Sequence, residues 1–287
     1  VPFLVMFLTT VTIIDNESDD PATINFMHKT NHRVLRVPNK DKEFNFSYLV
    51  NRGVEAASSD YILLLNDDTE VIEPSWLSQM VGYLTIQGVG VVGAKLLFPN
   101  GKIQHAGILN GIFDGLPAPV FRGFSGNEAG YLNYLRVARN YKAVTAACLL
   151  TTKQIFHKVG GFNESDLAVA YNDVDFCYRI EEKLKKRCVY CPDARLFHVE
   201  GSSRGGKDNF LEEFYFREKY ANQKDPFYSP NFSPTDGNFK IIPYCLPLPF
   251  QSSIKVVAFT HNLNLEGAPL SMLEMISGLL KRGKIKP

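Results

Sequence analysis

Asn66, Asp67 and Asp68 follow directly on the apolar run Tyr61-Ile-Leu-Leu-Leu65. A run without alternation predicts a strand buried on both faces, as in a parallel sheet covered by helices. Its carboxyl end is where open α/β sheets bind ligands, and here that end carries acid and amide groups. Adjacent carboxylates repel each other, so a cation is expected to visit them. Hard ions such as Mg²⁺ and Mn²⁺ favour carboxylate oxygen, and Mg²⁺ takes only one or two carboxylates beside substrate phosphates, which points to phosphate chemistry. The plainer reading is that Asp67-Asp68 caps the helix opening near Pro74 or solvates a loop.

Three further stretches carry chemistry. Val11-Thr-Ile-Ile14 reads as a second strand ending in acid, at Asp15. Asn172-Asp173-Val174-Asp175 opens a helix; Asn172 suits the N-cap and both acids suit the helix dipole, but Asp173 also follows an aromatic loop that could wall a pocket. His198-Val-Glu-Gly-Ser-Ser-Arg204 places an imidazole at a strand end before a Gly-rich loop. There, imidazole could serve as a metal ligand and guanidinium as an anion clamp, and beside Asp68 the fragment becomes a constellation.

The elements that must position these groups alternate from the start. Strand 11–14, a helix through Ile24 and Met27, strand 33–37, a helix over 48–57 capped by Ser47, and strand 61–65 form a doubly wound α/β pattern. A helix from Pro74 to about Ile86 follows, in which Trp76 reads as core in preference to an acceptor platform. Residues 90–108 read as a hairpin around Pro99-Asn-Gly101, and 111–139 as a long loop or lid. Strand 141–150, a short helix stopping at Gly160-Gly161, the helix from Asn172, and short strands 187–191 and 194–197 complete a first domain over 1–222. Six prolines from Pro226 to Pro249 mark a linker over 223–253, and 254–287 reads as the first βα unit of a second domain.

Composition narrows the function. With 45% hydrophobic and 21% charged residues the chain has an ordinary globular core, and a net charge of +1 gives no general attraction to nucleic acid or an anionic membrane. Five cysteines in 287 residues do not make a disulfide framework, and a reducing cytoplasmic setting fits them. Cys188-Val-Tyr-Cys191 has zinc-knuckle spacing, but no second pair stands at a suitable distance. The apolar opening, Val1 to Thr10, is shorter than the roughly 20 residues a bilayer span needs, and it reads as the continuation of an upstream segment. No Gly-x-Gly-x-x-Gly loop follows an early strand, which argues against a nicotinamide-dependent enzyme.

Taken in order, Ile14-Asp-Asn-Glu-Ser18, Asn45-Phe-Ser47 with Asn51, Leu65-Asn-Asp-Asp-Thr-Glu70, Ile103-Gln-His-Ala-Gly107, Gly160-Gly-Phe162, Tyr171-Asn-Asp-Val-Asp-Phe176 and His198 to Arg204 resemble the family 2 glycosyltransferases. The resemblance spans Thr10 to Gly206 and is nearest to the rhamnosyltransferase-like enzymes of surface-polysaccharide synthesis. It implies a GT-A fold, a Rossmann-like mixed sheet flanked by helices, and an inverting transfer from a nucleotide-diphosphate sugar with Mn²⁺ or Mg²⁺. By the same resemblance Asp68 and His198 would hold the metal, Asp15, Asn51, Asp67 and Arg204 the donor, and Asp173 would be the general base. Asn66 stands where the strict motif has its first Asp, and Val1 to Thr10 does not reproduce the family's first strand. The implied acceptor is a saccharide or lipid-linked glycan, in a cytoplasmic setting with peripheral association at the inner face of the plasma membrane left open. Phe259-Thr-His-Asn-Leu-Asn-Leu-Glu-Gly-Ala-Pro269 is similar to the start of a family 4 glycosyltransferase of GT-B fold. The rival from another class is a catalytically decayed glycan-binding or scaffold module.

Overall fold

The structure, a computed structural model, describes residues 10–38, 43–113, 115–199, 210–220, 223–242, 271–272 and 274–278. Strand β1 (Thr12–Asp15) and β2 (Arg33–Arg36) flank helix α1 (Pro21–Lys29), and the two strands pair in parallel. Asp20 caps α1 by accepting the Thr23 N–H at 2.7 Å, and Pro21 supplies the preset φ of a first helical turn. Helix α2 (Phe46–Ala56) begins earlier than its apolar spacing predicts, because Asn45 rather than Ser47 is the cap. Ser47 is buried and donates to the Leu167 carbonyl.

The central sheet orders its strands β3 (Tyr61–Leu65), β10 (Cys148–Thr152), β5 (Val89–Leu97), β11 (Arg187–His198) and β4 (Thr69–Val71). Two short strands, β6 (Ile103–His105) and β9 (Arg139–Tyr141), hang on β5 and β11. Only β5 with β11 is parallel; the other pairings are antiparallel, so the sheet is mixed. Of the five strands in that order β5 is buried at every position, whereas β3 stands at the sheet's end with Tyr61 and Leu65 exposed. The expectation of a fully covered β3 is thereby corrected: an apolar run of that length serves an edge as well as a centre.

Helices cover both faces. Helix α3 (Trp76–Leu84) lays Met80 and Leu84 on Val92, Ala94, Cys148 and Leu196, and Trp76 joins that cluster. On the other side α4 (Lys153–Val159), α5 (Asn172–Leu184) and α6 (Phe210–Tyr220) enclose Phe156, Phe162, Phe176, Tyr178 and Phe216. Cys188 belongs to this second cluster and Cys191 to the first, so their side chains enter cores on opposite faces of β11.

Segments 111–139 and 223–242 also differ from their sequence reading. Segment 111–139, expected to be a loop or lid, contributes Val120, Phe121 and Leu135 to a third core, and β7 (Ile108–Leu109) pairs there with β8 (Ala118–Pro119). Residues 223–242, expected to be linker, supply Phe227, Tyr228, Phe232 and the buried Phe239 to the same core, and they lie in the compact unit Val1–Ile242. Phe239 stacks on Phe121 at 5.2 Å between ring centres. Aromatic rings bury 150–250 Å² each, which outweighs the lack of regular backbone. The second unit is Pro243–Pro287; residues 271–272 and 274–278 in it are helical, and the expected strand 254–259 lies outside the described residues.

Candidate active site

Strand β3 ends where Asn66 N–H donates to the Ala147 carbonyl at 3.0 Å, the last rung toward β10. The chain then turns: Thr69 Oγ1 donates to the Asn66 carbonyl at 2.7 Å, and β4 runs back beside the end of β11 with Thr69 opposite His198. Val199 N–H closes the turn on the Asp68 carbonyl at 2.9 Å. This reversal brings together residues far apart in sequence. His198 Nε2 lies 2.9 Å from Asp68 Oδ1 and 3.3 Å from Asn66 Nδ2, while His198 Nδ1 lies 2.6 Å from Gln104 Oε1. Asp67, between them in the turn, is exposed.

The Asp68–His198 approach is an ion-pair distance without a hydrogen bond. Asp68 Oδ1 is buried and has no hydrogen-bond donor, although Nε2 stands beside it. Gln104 Oε1 can only accept, so Nδ1 carries a proton, and in the singly protonated tautomer Nε2 presents its lone pair to the carboxylate. Two such atoms in contact suit a shared cation. Among the described residues no group of three His, Cys, Asp or Glu side chains could hold a metal by itself. A donor pair completed by substrate oxygens and water is the arrangement Mg²⁺ commonly takes, so the residues fit the ion.

Asp173 enters from the first turn of α5. Its Oδ1 accepts the Val174 N–H at 2.8 Å and its Oδ2 accepts the Ala146 N–H at 2.9 Å. Since the next residue, Ala147, takes the Asn66 N–H, the dipeptide Ala146-Ala147 ties Asp173 to the β3 end. The same segment is anchored by His105, whose Nε2 accepts from Thr145 N–H at 3.2 Å and Gly107 N–H at 3.3 Å. His105 Nδ1 donates to the Ala94 carbonyl at 2.9 Å. Burial holds its pKa down at about 4, against the pull of that carbonyl, so the ring is neutral. Gly107 cannot be replaced cheaply: at φ +109° an added Cβ would stand 2.1 Å from the Tyr141 ring. Contacts therefore close a loop through Gln104, His105, Thr145 to Ala147, Asn66 and His198.

Asp15 and Asn51 bond to partners outside this loop of contacts. Asp15 is buried at the end of β1, with Oδ1 accepting Ser18 N–H at 2.9 Å and Oδ2 3.5 Å from Arg36. These contacts join it to its own turn and to β2. Asn51 is a clip: its amide donates to the Phe162 carbonyl at 2.9 Å and Glu164 at 2.7 Å, and its oxygen accepts the Phe162 N–H at 2.8 Å. Those bonds brace the chain at Phe162 and Glu164. Arg204 lies outside the described residues. Asn172 is the first residue inside α5, and Tyr171 at φ +57° is the cap, correcting the expected N-cap. In the sequence Gln104 and His105 stand out only as part of a motif; polar residues beside each other in a short strand after a tight turn are the available signal.

A model described as glycosyl transferase family 2 matches residues 8–156. "Uncharacterized protein y4gI" of Sinorhizobium fredii (strain NBRC 101917 / NGR234) is 38% identical over 238 residues, covering 79% of this chain and 26% of that protein. "O-antigen biosynthesis protein RfbC" of Myxococcus xanthus is 31% identical over 231 residues, covering 78% of this chain and 18% of that protein. The chain thus spans about a quarter or less of these relatives' lengths. Among solved structures, GalNAc-T7 with UDP, GalNAc and Mn²⁺ superposes with a TM-score of 0.51 at 12% identity, over 68% of this chain and 38% of that one. The shared architecture is the GT-A fold, a mixed sheet between helices.

Proposed function

The chain belongs to glycosyl transferase family 2, and from that premise we propose that it is a metal-assisted, inverting transferase. In this reading it moves a hexosyl or deoxyhexosyl unit from a nucleotide-diphosphate sugar to a saccharide or lipid-linked glycan during surface-polysaccharide synthesis. The observation that carries it is the meeting of Asp68 and His198 at 2.9 Å beside a strand end tied to Asp173. The name of the Myxococcus xanthus relative supports the polysaccharide setting.

Asp68 and His198 would hold Mn²⁺ or Mg²⁺, with exposed Asp67 adding negative potential at the rim. Such an ion, when bound, neutralises charge developing on a leaving diphosphate. Asp173 would receive the acceptor hydroxyl's proton as that oxygen attacks the anomeric carbon from the face opposite the leaving group. Each of its oxygens uses one lone pair on a backbone N–H, which fixes the carboxylate while leaving a further lone pair on each for the proton. Asp15 and Arg204 are assigned to the nucleoside and the phosphates, and Asn51 to bracing the Gly160–Phe162 turn. We assign the chain to the rhamnosyltransferase-like subgroup and residues 254–287 to the start of a family 4 domain, on the motifs quoted for each. No helix among the described residues is long and apolar enough to cross a membrane; a cytoplasmic-face location is part of this proposal.

The test is a panel of nucleotide sugars with a glycan acceptor, with and without Mn²⁺. One donor should raise Tm only with the ion, nucleoside diphosphate should be released, and the product's anomeric configuration should be opposite to the donor's. Asp68→Ala should remove ion-dependent donor binding. Equal donor affinity in Mn²⁺ and in chelator would sink the metal assignment, and retained anomeric configuration would sink the role given to Asp173.

A further inference from the structure

Resting on that reading of Asp68 and His198, we propose that Gln104 is a positioning residue that sets the ring tautomer of His198 and so delivers its Nε2 lone pair to a cation shared with Asp68. Gln104 is buried on β6, and its Oε1 stands 2.6 Å from His198 Nδ1. An amide oxygen is an acceptor only, and a neutral imidazole has a single N–H, so that proton is committed to Nδ1. The surroundings of Nε2 agree. Asn66 Nδ2, a donor, lies 3.3 Å from it, and Asp68 Oδ1 at 2.9 Å receives no hydrogen bond.

The neighbouring residue on β6 sharpens the assignment. Successive side chains of a strand point to opposite faces, and His105 turns the other way, with its Nε2 accepting backbone N–H groups of Thr145 and Gly107. One dipeptide thus orients both halves of the site: Gln104 holds the imidazole and His105 holds the segment that grips Asp173. Hydrogen bonds to the far nitrogen of a ligating histidine fix tautomer and ring orientation, and their loss typically costs about 10–100-fold in metal affinity. Glutamine does so without adding a negative charge beside Asp67 and Asp68.

The experiment reads the tautomer on the metal-free 287-residue chain by long-range ¹⁵N NMR, with His198→Gln identifying the signal. It is done at about pH 8.5, well above the ordinary imidazole pKa of about 6.5. The wild type should carry its proton on Nδ1. Gln104→Met should move the proton toward Nε2 and weaken Mn²⁺ binding, followed by water-proton relaxation, by about 10–100-fold. Gln104→Glu should restore both, as a merely space-filling residue would not. A wild-type proton on Nε2, or unchanged tautomer and affinity in Gln104→Met, overturns the proposal. If Gln104→Met fails to fold, the wild-type tautomer and Gln104→Glu decide alone. Proton on Nδ1 with no Mn²⁺ binding by the wild type would instead overturn the cation reading and leave Gln104's hold on the ring in place, so the two failures are told apart.

Discussion

Asp173 and Asp175 stand in the same helical turn, two residues apart, and live in opposite surroundings. Asp173 is partly exposed and held by backbone N–H groups of Ala146 and Val174. Asp175 is fully buried and held by side chains: Arg179 Nε at 2.7 Å, Lys219 Nζ at 2.9 Å and Tyr220 Oη at 2.6 Å. Arg179 also donates to the Val159 and Gly161 carbonyls, so the Asp175 cage joins α4, α5 and α6. At 3.6 residues per turn, positions i and i+2 point about 200° apart, and one acid faces the strand ends while the other faces the helices. What separates them is the kind of donor. Backbone donors orient a carboxylate and leave its other lone pairs free, whereas charged side chains consume it.

The largest expected effects come from breaking each acid separately. Asp175→Asn leaves two cations without their carboxylate and should cost about 3–5 kcal/mol in urea unfolding, with the surviving folded protein close to wild-type turnover. Asp173→Asn keeps one acceptor oxygen, should cost no more than about 1.5 kcal/mol, and should lower kcat by about 10²–10⁴-fold while donor binding persists. If both variants lose stability and turnover in parallel, the contrast between the two acids is wrong.

How far these roles were legible follows from the same contrast. The acid-bearing strand ends at Asp15 and Asn66–Asp68, the acids opening α5 and the imidazole at His198 were visible because polar groups interrupt apolar runs there. Pairing was not visible. Asn51 reaches partners more than a hundred positions away, and nothing local in its helix distinguishes a clip from a ligand contact. Segments 111–139 and 223–242 looked like loop because aromatic burial on irregular backbone leaves no period, although Tyr131, Phe232 and Phe239 pack face and edge in one core. The 141–150 run read as one strand; it divides into β9 and β10, with residues 142–147 between them forming the ledge on which Asp173 rests.

Acid provides a second way to sharpen the comparison. In the folded chain His105 titrates at about 4 against an ordinary 6.5 because it is buried, so the unfolded chain takes up the proton first. The stability tied to its neutral ring is complete above about 6.5 and is lost as pH falls toward 4, on the order of 3 kcal/mol. Burial would raise the pKa of Asp175, but Arg179, Tyr220 and Lys219 reverse that and hold it below 3.8, so its contribution survives until the pH falls further. Mild acid should therefore loosen the Asp173 side before the Asp175 cage. Urea midpoints measured across this range should fall for the wild type and fall less for His105→Gln, whose amide oxygen can replace the Nε2 acceptor. Identical slopes for the two proteins would remove His105 from the account.

The smallest expected effect tests whether α6 serves only the cage or also the base. Glu212, in the first turn of α6, accepts Val169 N–H at 2.9 Å and Ala170 N–H at 2.6 Å, immediately before Tyr171. Tyr171 adopts φ +57°, a left-handed conformation costing a non-glycine residue about 1–2 kcal/mol, and stacks on Phe216 of α6 at 5.1 Å. Such strain persists only where its surroundings hold it. Glu212→Gln leaves a single oxygen for two donors and exchanges charge-assisted bonds for neutral ones, which should cost about 1 kcal/mol. Because the loosened residues lead directly into Asp173, kcat should also fall, though by less than about tenfold, an amount below that expected from losing the base itself. Stability lowered with kcat unchanged would mean that α6 braces the fold alone; a lowered kcat would place Glu212 in the support of Asp173, making the two acids of α5 dependent on one helix through different bonds.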